Sequence, residues 1–378
     1  MAAAARADLG TPPAIPRSAR GVSLLVGTNR GGSIVAQQAD FFSLLDLDSG
    51  EAYEKPRRRA RIRAVPAPEK ALDLLSPVAP ALAYDAQQEA WACALEQSGH
   101  YRILRRLRFR PVVARPLAAD EKLAVIVDVE TTGLDAGKDE VIELGMVAFT
   151  YGPDGVIGDV IGAYSELREP SVAISPEITR ITGITEEMVR GKALDLEAVA
   201  RFLEPAALVI AHNARFDRPF CERLLADFAP KAWACSASEV NWSSFGFEGV
   251  KLGYLVGQSG WFHNGHRAVD DCHALLEVIA APLKGGEGTG FGHLLAAARQ
   301  ARYRVWAEGS PFDMKDALKA RGYRWNDGAD GRPKSWWVEV AEDALEAEMA
   351  FLRTEIYLRD VDPHIQTLTA FERFKAAR

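Results

Sequence analysis

Long hydrophobic runs are absent from this chain of 378 residues. No stretch approaches the roughly 18 consecutive apolar residues that a membrane-spanning helix needs. The N-terminal arginines are not followed by an apolar core of about 7–15 residues, which argues against a secretory signal. We therefore expect a cytoplasmic protein without a membrane segment, and an organelle presequence stays open as a second interpretation.

Cysteines are few, and their spacing matches no common zinc site. The four of them contain no Cys-x-x-Cys pair, whereas structural zinc sites usually need such spacing. In a chain of this length the pattern is typical of reduced, mostly buried thiols. A disulfide framework is therefore not expected.

A net positive charge, common in nucleic-acid-binding proteins, is also missing, since the net charge is -7. The sum hides an asymmetry: residues 1–120 hold 17 Lys and Arg against 12 Asp and Glu, and the remainder holds 28 against 40. An acidic half behind a basic leader fits an enzyme that binds polyanions through metal ions. A solvated surface without a partner is the alternative.

The first 119 residues divide into two parts. Residues 1–80 show no sustained apolar period and hold many prolines, which predicts a largely disordered basic leader. Residues 81–119 are expected to pack on the following domain as a helical segment, with the helix over 84–109. The arginines at 57–63 and 102–110 could contact phosphates or simply be solvated.

From residue 120 the pattern becomes that of an α/β domain. Three strands are predicted in succession, and two further strands alternate with helices. This order favours a mixed sheet flanked by helices over residues 120–283, with strands at 122–129, 141–150, 160–167, 207–211 and 232–240 and helices at 175–182, 194–203, 215–228 and 267–281.

A glycine-rich linker at 284–290 leads to a predicted small α+β module over 291–378. It is expected to contain a helix at 291–301, a strand at 303–308, a hairpin of 323–326 with 335–340, and a closing helix at 341–358. Its tryptophans and basic residues could stack bases and hold phosphates. Filling the core of a small module is the alternative role for these aromatic side chains.

Asp128 and Glu130 lie two residues apart at the end of the first predicted strand. Period-two geometry points both carboxylates to one face, where they would repel each other unless a cation lay between them. Hard divalent cations prefer such oxygens, so the pair predicts a metal site. The stretch Thr131-Thr132-Gly133-Leu134 follows, and its glycine allows a sharp turn. The amides and hydroxyls of both threonines are then expected to be free to contact a sugar or phosphate.

Asp217 follows the strand at 207–211 and falls in the first turn of a helix. The strand delivers it to the same sheet edge as Asp128. Asn213 is a candidate cap and loop organiser, Phe216 is expected in the core, and His212 is interpreted as structural rather than as a ligand. Taken alone, an aspartate in a first turn is usually a capping or dipole residue.

His266 precedes the predicted helix at 267–281 and lies five residues before Asp271. A histidine beside a rigidly held aspartate suits a general base, because imidazole titrates near neutral pH. A packed ring near Trp261 and Phe262 is the alternative. Asp270 competes with Asp271 for the role of ligand.

Four stretches carry a family resemblance when they are taken in order: 128–134, 181–185, 212–217 and 266–271. They resemble the DEDDh exonucleases, the family of the epsilon proofreading subunit of bacterial replicative DNA polymerase. The resemblance implies a ribonuclease-H-like fold and a DEDDh domain over 120–283. It also selects Asp271 over Asp270, and Arg267 stands where the tyrosine-type relatives would need tyrosine.

The resemblance further implies the role of each residue. Asp128 would bridge two Mg²⁺ or Mn²⁺ ions, Glu130 and Asp271 would hold the ion that carries the attacking water, Asp217 would support the other ion, and His266 would take the proton. The nucleotide would be bound by Thr131, Thr132, Gly133, Leu134, Asn213 and Phe216.

The expected function is 3'-5' hydrolysis of nucleic acid to nucleoside 5'-monophosphates, preferably at a single-stranded or frayed 3' end of DNA, in repair, proofreading or processing. An RNA-directed exonuclease is the first alternative, because the motifs do not encode sugar choice. A non-catalytic nucleic-acid-binding or polymerase-binding subunit is the second, although all five site residues are present.

The C-terminal stretch from Gln366 to Phe371 resembles a peptide that binds a sliding clamp. Such peptides place an aliphatic residue three positions after the glutamine, where this chain has Thr369. The alternative is an ordinary terminal segment that packs Leu368 and Phe371. A contact with a clamp or a polymerase is therefore one of two interpretations of this segment.

Overall fold

The computed structural model describes residues 85–285, 288–328 and 331–375. The predicted leader over 1–80 lies outside the described residues. Within the described ranges no helix is both long and apolar enough to span a bilayer.

The segment before the α/β domain over residues 120–283, which we call the nuclease-like domain after its sequence resemblance, is only partly helical. Helix α1, Ala86–Gln97, begins at Asp85, whose carboxylate accepts the N–H groups of the first turn. Gly99, at φ 74°, ends it in the left-handed region that glycine adopts without strain. The predicted helix over 84–109 is therefore too long, and the chain runs on in extended form through strand β1, Arg105–Arg106.

Five strands form the central sheet. The apolar run that predicted the first strand is buried on both faces, as expected for the middle of a covered sheet. The order is β4-β3-β2-β5-β6, with β4, β3 and β2 antiparallel and β5 and β6 parallel to β2. The bounds are β2 Lys122–Thr131, β3 Val141–Tyr151, β4 Ile157–Leu167, β5 Ala206–Ala211 and β6 Trp233–Cys235.

Helices cover both faces of this sheet, which confirms the predicted mixed α/β, ribonuclease-H-like fold. Alternate residues of β2 divide between two cores: Leu123, Val125 and Val127 lie on one side, and Ala124 and Ile126 on the other. The elements between β4 and the C-terminal module are α2 Pro176–Thr182, α3 Glu186–Val189, α4 Leu196–Leu203, α5 Ala214–Leu224, α6 Ser236–Glu239, α7 Leu252–Gln258, β7 Trp261–Phe262 and α8 Ala268–Ala280.

The strand predicted over 232–240 is much shorter in the structure. β6 stops at Cys235, and α6 follows at once. The carboxylate of Glu239 accepts the N–H of Cys235 at 2.8 Å, and this bond closes the turn. The contact between Glu239 and Cys235 thus ends β6 at a point where the apolar pattern of the sequence predicted that the strand would continue.

The C-terminal module has a four-stranded antiparallel sheet of its own, in the order β11-β8-β10-β9. The predicted hairpin is present, whereas the edge strand β11 was not predicted. The elements are α9 Gly290–Arg299, β8 Arg302–Glu308, a 3₁₀ turn Phe312–Met314, α10 Lys315–Ala320, β9 Arg324–Asn326, β10 Ser335–Ala341, α11 Glu342–Phe351, a π-turn Leu352–Ile356 and β11 Ile365–Leu368.

Helix α9 packs with the nuclease-like domain rather than with this module. The ring of Phe291 lies edge-on to Phe149 at 5.3 Å and to Tyr151 at 5.2 Å, measured between ring centroids. The module's own core therefore begins at β8, after the start at residue 291 that the linker suggested.

Most of the module's aromatic side chains serve its packing. Trp306, Tyr323 and Trp337 are buried, so they offer no face to a nucleic-acid base. Trp336 lies on the opposite face of β10 from Trp337, as strand alternation predicts, and its ring meets that of Trp325, which is 47% exposed. Tyr323 thus lies in the module's core and Trp336 packs against that core. Trp306 and Trp337 are buried on the other face of the sheet, where the guanidinium of Arg304 lies over both rings.

The C-terminal tail docks on the nuclease-like domain. Leu368 is buried in β11, whereas Phe371 is half-exposed. The Trp233 N–H donates to the carbonyl of Ala370 at 2.7 Å, and Arg218 in α5 donates to the carbonyl of Phe371 at 2.8 Å. The segment that resembles a clamp peptide is therefore partly an edge strand, which agrees with the packing of Leu368 but not with that of Phe371.

We predict that Arg218→Met destabilises the chain by about 2–4 kcal/mol, because the wholly buried guanidinium bonds to tail carbonyls and to Glu222 at 2.6 Å. Arg201→Met in α4 is the matched control, since Arg201 is 61% exposed and its pair with Glu197 spans 3.8 Å. Denaturant unfolding of both variants measures the difference, and equal losses would contradict this account of the tail.

Candidate active site

Three carboxylates meet where β2 ends. Asp128, Glu130 and Asp271 each place one oxygen within 4.8 Å of the others. The first two come from β2 and the third from the first turn of α8. The structure thus brings together residues from opposite ends of the domain, and Asp270 is not part of this group.

A glycine brings α8 close enough to complete the group. Gly145 pairs with Asp128 in the register of β3 with β2. A Cβ at Gly145 would lie 2.3 Å from the backbone carbon of Ala268 and the nitrogen of Val269, so α8 begins directly on the strand. Glycine inside an apolar strand often marks such a close backbone approach, and this was the available sequence signal.

An ion pair between a buried glutamate and a partly exposed arginine fixes the start of α8. Glu143, the register partner of Glu130, is fully buried. Its carboxylate accepts from the Arg267 guanidinium at 2.8 Å and from the N–H of Ala268 at 3.2 Å. An acid in an otherwise apolar strand was the sequence signal for this contact, and sequence reasoning missed it.

Asp217 lies beside the three carboxylates and is almost wholly buried, with 2% exposure. Strand β5 runs parallel to β2 and delivers α5 to the same edge. The predicted side-chain cap by Asn213 is wrong, because Asn213 makes no capping hydrogen bond and instead takes a left-handed backbone with φ 109°. Asn213 therefore contributes a backbone turn to the site.

Two histidines sit in the loop between β7 and α8. The ring of His263 contacts Asp271, with Nε2 2.6 Å from Oδ1. The backbone N–H of His266 donates to the other oxygen of Asp271 at 2.8 Å, and His266 is exposed and has a left-handed φ of 66°. Asp271 therefore anchors both His263 and His266. The sequence did not predict the contact with His263, because it joins residues across a glycine-containing loop.

The threonines after Glu130 are occupied within the protein. Thr131 donates its hydroxyl to the carbonyl of Gly133 at 2.6 Å. Thr132 donates its N–H to the carbonyl of Glu140 and accepts that residue's N–H on its hydroxyl. The expectation that both hydroxyls and the Thr132 amide are free is therefore wrong, because the turn back to β3 uses them.

Gly133 and Phe216 contribute to packing around this turn. A Cβ on Gly133 would lie 2.5 Å from the carboxylate of Asp139, so close approach explains the glycine. Phe216 is partly buried, with its ring 5.0 Å from that of Phe220, and Leu134 is likewise half-buried. Phe216 thus packs against the core on one side of the sheet, as expected.

His212 is a structural residue, as predicted. Its Nδ1 lies 2.9 Å from the hydroxyl of Ser236, and its Nε2 lies 2.7 Å from the carbonyl of Val250. Burial lowers its pKa to about 4, so the ring is neutral at physiological pH. It joins β5 to the chain before α7.

Burial raises the pKa values of Asp128, Glu130 and Asp217, and repulsion between acids adds to the shifts of Asp128 and Glu130. Burial is the main cause for Asp128, whose pKa lies well above the usual carboxyl range, and repulsion from Asp217, Asp271 and Glu130 adds to it. Burial, again the main cause, raises the pKa of Glu130 to about 8 and that of Asp217 to about 7. A positive charge among them would reverse these shifts.

The donor set fits a hard divalent cation. Carboxylate oxygens are the ligands that such ions prefer, and three of them already converge on one point. Without a counter-charge, the raised pKa values of Glu130, about 8, and Asp217, about 7, favour protonation of these two carboxylates near neutral pH. The group therefore suits a metal ion, and its chemistry alone selects neither the ion nor the number bound.

Comparison with known proteins agrees with this geometry. The family model of the RNase T exonucleases matches residues 125–279. The DNA polymerase III subunit epsilon of Treponema pallidum is 33% identical over 162 residues, which make up 40% of this chain and 72% of that protein. The chain belongs to the RNase T exonuclease family.

Other relatives share the same region as part of much longer proteins. The PolC-type DNA polymerase III of Clostridium perfringens is 31% identical over 166 residues, or 42% of this chain. The chain spans about a tenth of the length of such relatives, with 11% of that polymerase covered.

Solved exonuclease structures are also similar. Exonuclease X in complex with 5' overhanging duplex DNA is 26% identical, with a TM-score of 0.32, and covers 45% of this chain and 99% of that one. Exonuclease I is 17% identical, with a TM-score of 0.39, and covers 66% of this chain and 63% of that one.

We predict that Glu130→Gln stabilises the metal-free chain at high pH. A folded pKa of about 8 lies above the ordinary glutamate value of 4.5, so the parent loses stability as pH rises between these values. The variant lacks this loss, so its free energy of unfolding should exceed that of the parent by about 4 kcal/mol at pH 8, with little difference at pH 4. Urea unfolding in EDTA measures it, and a pH-independent difference would contradict the shift.

We also predict that Gly145→Ala displaces α8 from the sheet. The added Cβ meets backbone, which cannot rotate away, so the free energy of unfolding falls by about 1–3 kcal/mol or more. Because Asp271 moves with α8, metal binding weakens, and the rise in Tm on adding Mn²⁺ becomes smaller. Gly253→Ala in α7, where a Cβ meets nothing within 4 Å, is the matched control. A parent-like Tm shift with Mn²⁺ in Gly145→Ala would disprove the role of this close approach.

Proposed function

We propose that the chain is a metal-dependent 3'-5' exonuclease of the DEDDh type, which releases nucleoside 5'-monophosphates from nucleic acid and prefers single-stranded DNA. The observation that carries the proposal is the convergence of Asp128, Glu130 and Asp271 on one point, with Asp217 buried beside them. Membership of the exonuclease family supports it.

We assign the carboxylates to a pair of Mg²⁺ or Mn²⁺ ions. By the family resemblance, Asp128, Glu130, Asp217 and Asp271 would hold these ions, and Asp128, Glu130 and Asp271 already lie within 4.8 Å of one another. Bound there, the ions supply charge stabilisation for the attacking and leaving oxygens of an in-line displacement. The carboxylates fix the geometry in advance, because β2, α5 and α8 hold them.

His266 is the proposed general base. The residue is exposed, and its backbone is tied to Asp271, so its ring can reach a water that approaches the scissile phosphate. Imidazole accepts a proton near neutral pH. His263 is the proposed orienting residue of Asp271, because its ring contacts one carboxylate oxygen while the other accepts the His266 N–H.

The substrate strand would enter at its 3' end. The relative from Treponema pallidum is named as a subunit of DNA polymerase III, and the relative from Clostridium perfringens is named as a DNA polymerase. By analogy with these proteins, we propose a DNA substrate, in proofreading, repair or processing. A contact with a polymerase is a further part of this proposal.

We predict that the chain shortens 5'-labelled single-stranded DNA from its 3' end in Mg²⁺ or Mn²⁺. EDTA should abolish the ladder, and Asp128→Ala should slow it by about a hundredfold or more, because the electrostatic stabilisation of the transition state is lost. Asp270→Asn is the matched control, since Asp270 lies next to Asp271 but outside the group, and it should retain most activity.

Several results would overturn the proposal. Cleavage that persists in EDTA would remove the metal dependence, and equal losses in Asp270→Asn and Asp128→Ala would remove the residue assignment. A parallel digestion of RNA with the same base sequence tests the sugar preference. A ladder on RNA alone would replace the DNA substrate with the RNA-directed alternative.

A further inference from the structure

The loop that carries both histidines has little regular structure of its own. It runs from the end of α7 to the start of α8 and includes Gly260, at φ 89°, and Gly265. Its two-residue strand β7 pairs, within the described part of the chain, with β1 in a separate sheet. The backbone bonds that hold this strand therefore lie outside the central sheet.

A single extended segment, residues 102–113, crosses this loop and α8; we call it the strap. The N–H of Arg105 donates to the carbonyl of Gly260 at 2.9 Å, and that of Leu107 donates to the carbonyl of Phe262 at 2.8 Å. The guanidinium of Arg102 reaches the carbonyl of Gly257 at 2.7 Å. The strap therefore holds the start of the loop through three carbonyls.

The strap is itself anchored to helix α1 and to helix α8. On one side, Arg105 pairs with Glu89 at 2.6 Å and Glu96 at 3.0 Å, which ties β1 to helix α1. Further along, the ring of Phe109 stacks on that of His273 in α8, with centroids 4.3 Å apart and planes 10° apart. The segment therefore touches both the loop that bears His266 and the helix that bears Asp271.

We infer that the strap positions the histidine loop for catalysis and that Arg105 acts as a positioning residue through its backbone. This inference rests on the proposed function. The family match begins at residue 125, so the strap lies outside the matched domain. Because β1 holds the loop near Gly260 and Asp271 holds it at His263 and His266, the loop is fixed at both of its ends.

The test compares three full-length variants. Arg105→Pro removes the N–H that donates to Gly260 as well as both ion pairs, and Arg105→Ala removes the ion pairs but keeps the N–H. Arg115→Gln is the control, because Arg115 lies beyond the strap and pairs with Glu121 at 2.6 Å and Asp159 at 2.7 Å. Phe109→Ala, which loosens the strap from α8, is used if Arg105→Pro does not fold.

Amide hydrogen exchange reports on the loop whether or not the chain cleaves nucleic acid. In Arg105→Pro we expect amides at 258–266 to exchange at least about tenfold faster, while those of β2 stay protected. Arg105→Ala should show a smaller increase, and Arg115→Gln should show parent-like exchange in the loop. Unchanged loop exchange in Arg105→Pro and Phe109→Ala would overturn the inference.

Kinetics then separate positioning from general loss of fold. In Arg105→Pro, kcat on single-stranded DNA should fall by about ten- to a hundredfold while KM stays within about twofold, because a small displacement of a reacting group costs that much. Arg115→Gln should keep the parent kcat. A parent-like kcat in Arg105→Pro together with faster loop exchange would also overturn the inference. If the parent chain itself is inactive, the proposed function is wrong, and the exchange experiment alone decides whether the strap holds the loop.

Discussion

The burial of carboxylates crowded together at the end of β2 is the constraint on which the rest of the structure depends. Burial is the main reason that the pKa of Glu130 rises to about 8 and that of Asp217 to about 7, so an uncompensated cluster opposes folding near neutral pH. Two features of the chain keep the cluster in place. Gly145 lets α8 touch the sheet, and the pair of buried Glu143 with Arg267 fixes where α8 begins.

Much of this could be predicted from sequence because the relevant information is local. Asp128 and Glu130 share a face through strand alternation, and a strand that ends just before Asp217 delivers it to the same edge. The apolar runs likewise predicted the central strands and their flanking helices. Roles for the individual residues still came from the family resemblance, and they stay proposals.

The features that were missed arise from contacts distant in sequence. The helix predicted over 84–109 ends at Gln97, because Gly99 terminates it and Leu107 is drawn into the domain core. Strand β11 is short and shows no alternating pattern; it exists because β8 offers an edge. The hydroxyls of Thr131 and Thr132 were expected to be free, but the return of the chain to β3 occupies them.

The central claim is that these carboxylates form a divalent cation site. Anomalous diffraction from crystals of the full chain soaked in Mn²⁺ tests it most directly, because the metal position is determined without reference to activity. We expect a peak within coordination distance of Asp128, Glu130 and Asp271, at roughly 2.0–2.4 Å from the oxygens, that disappears in Asp128→Asn. Manganese bound elsewhere, with no peak among these three residues, would contradict it.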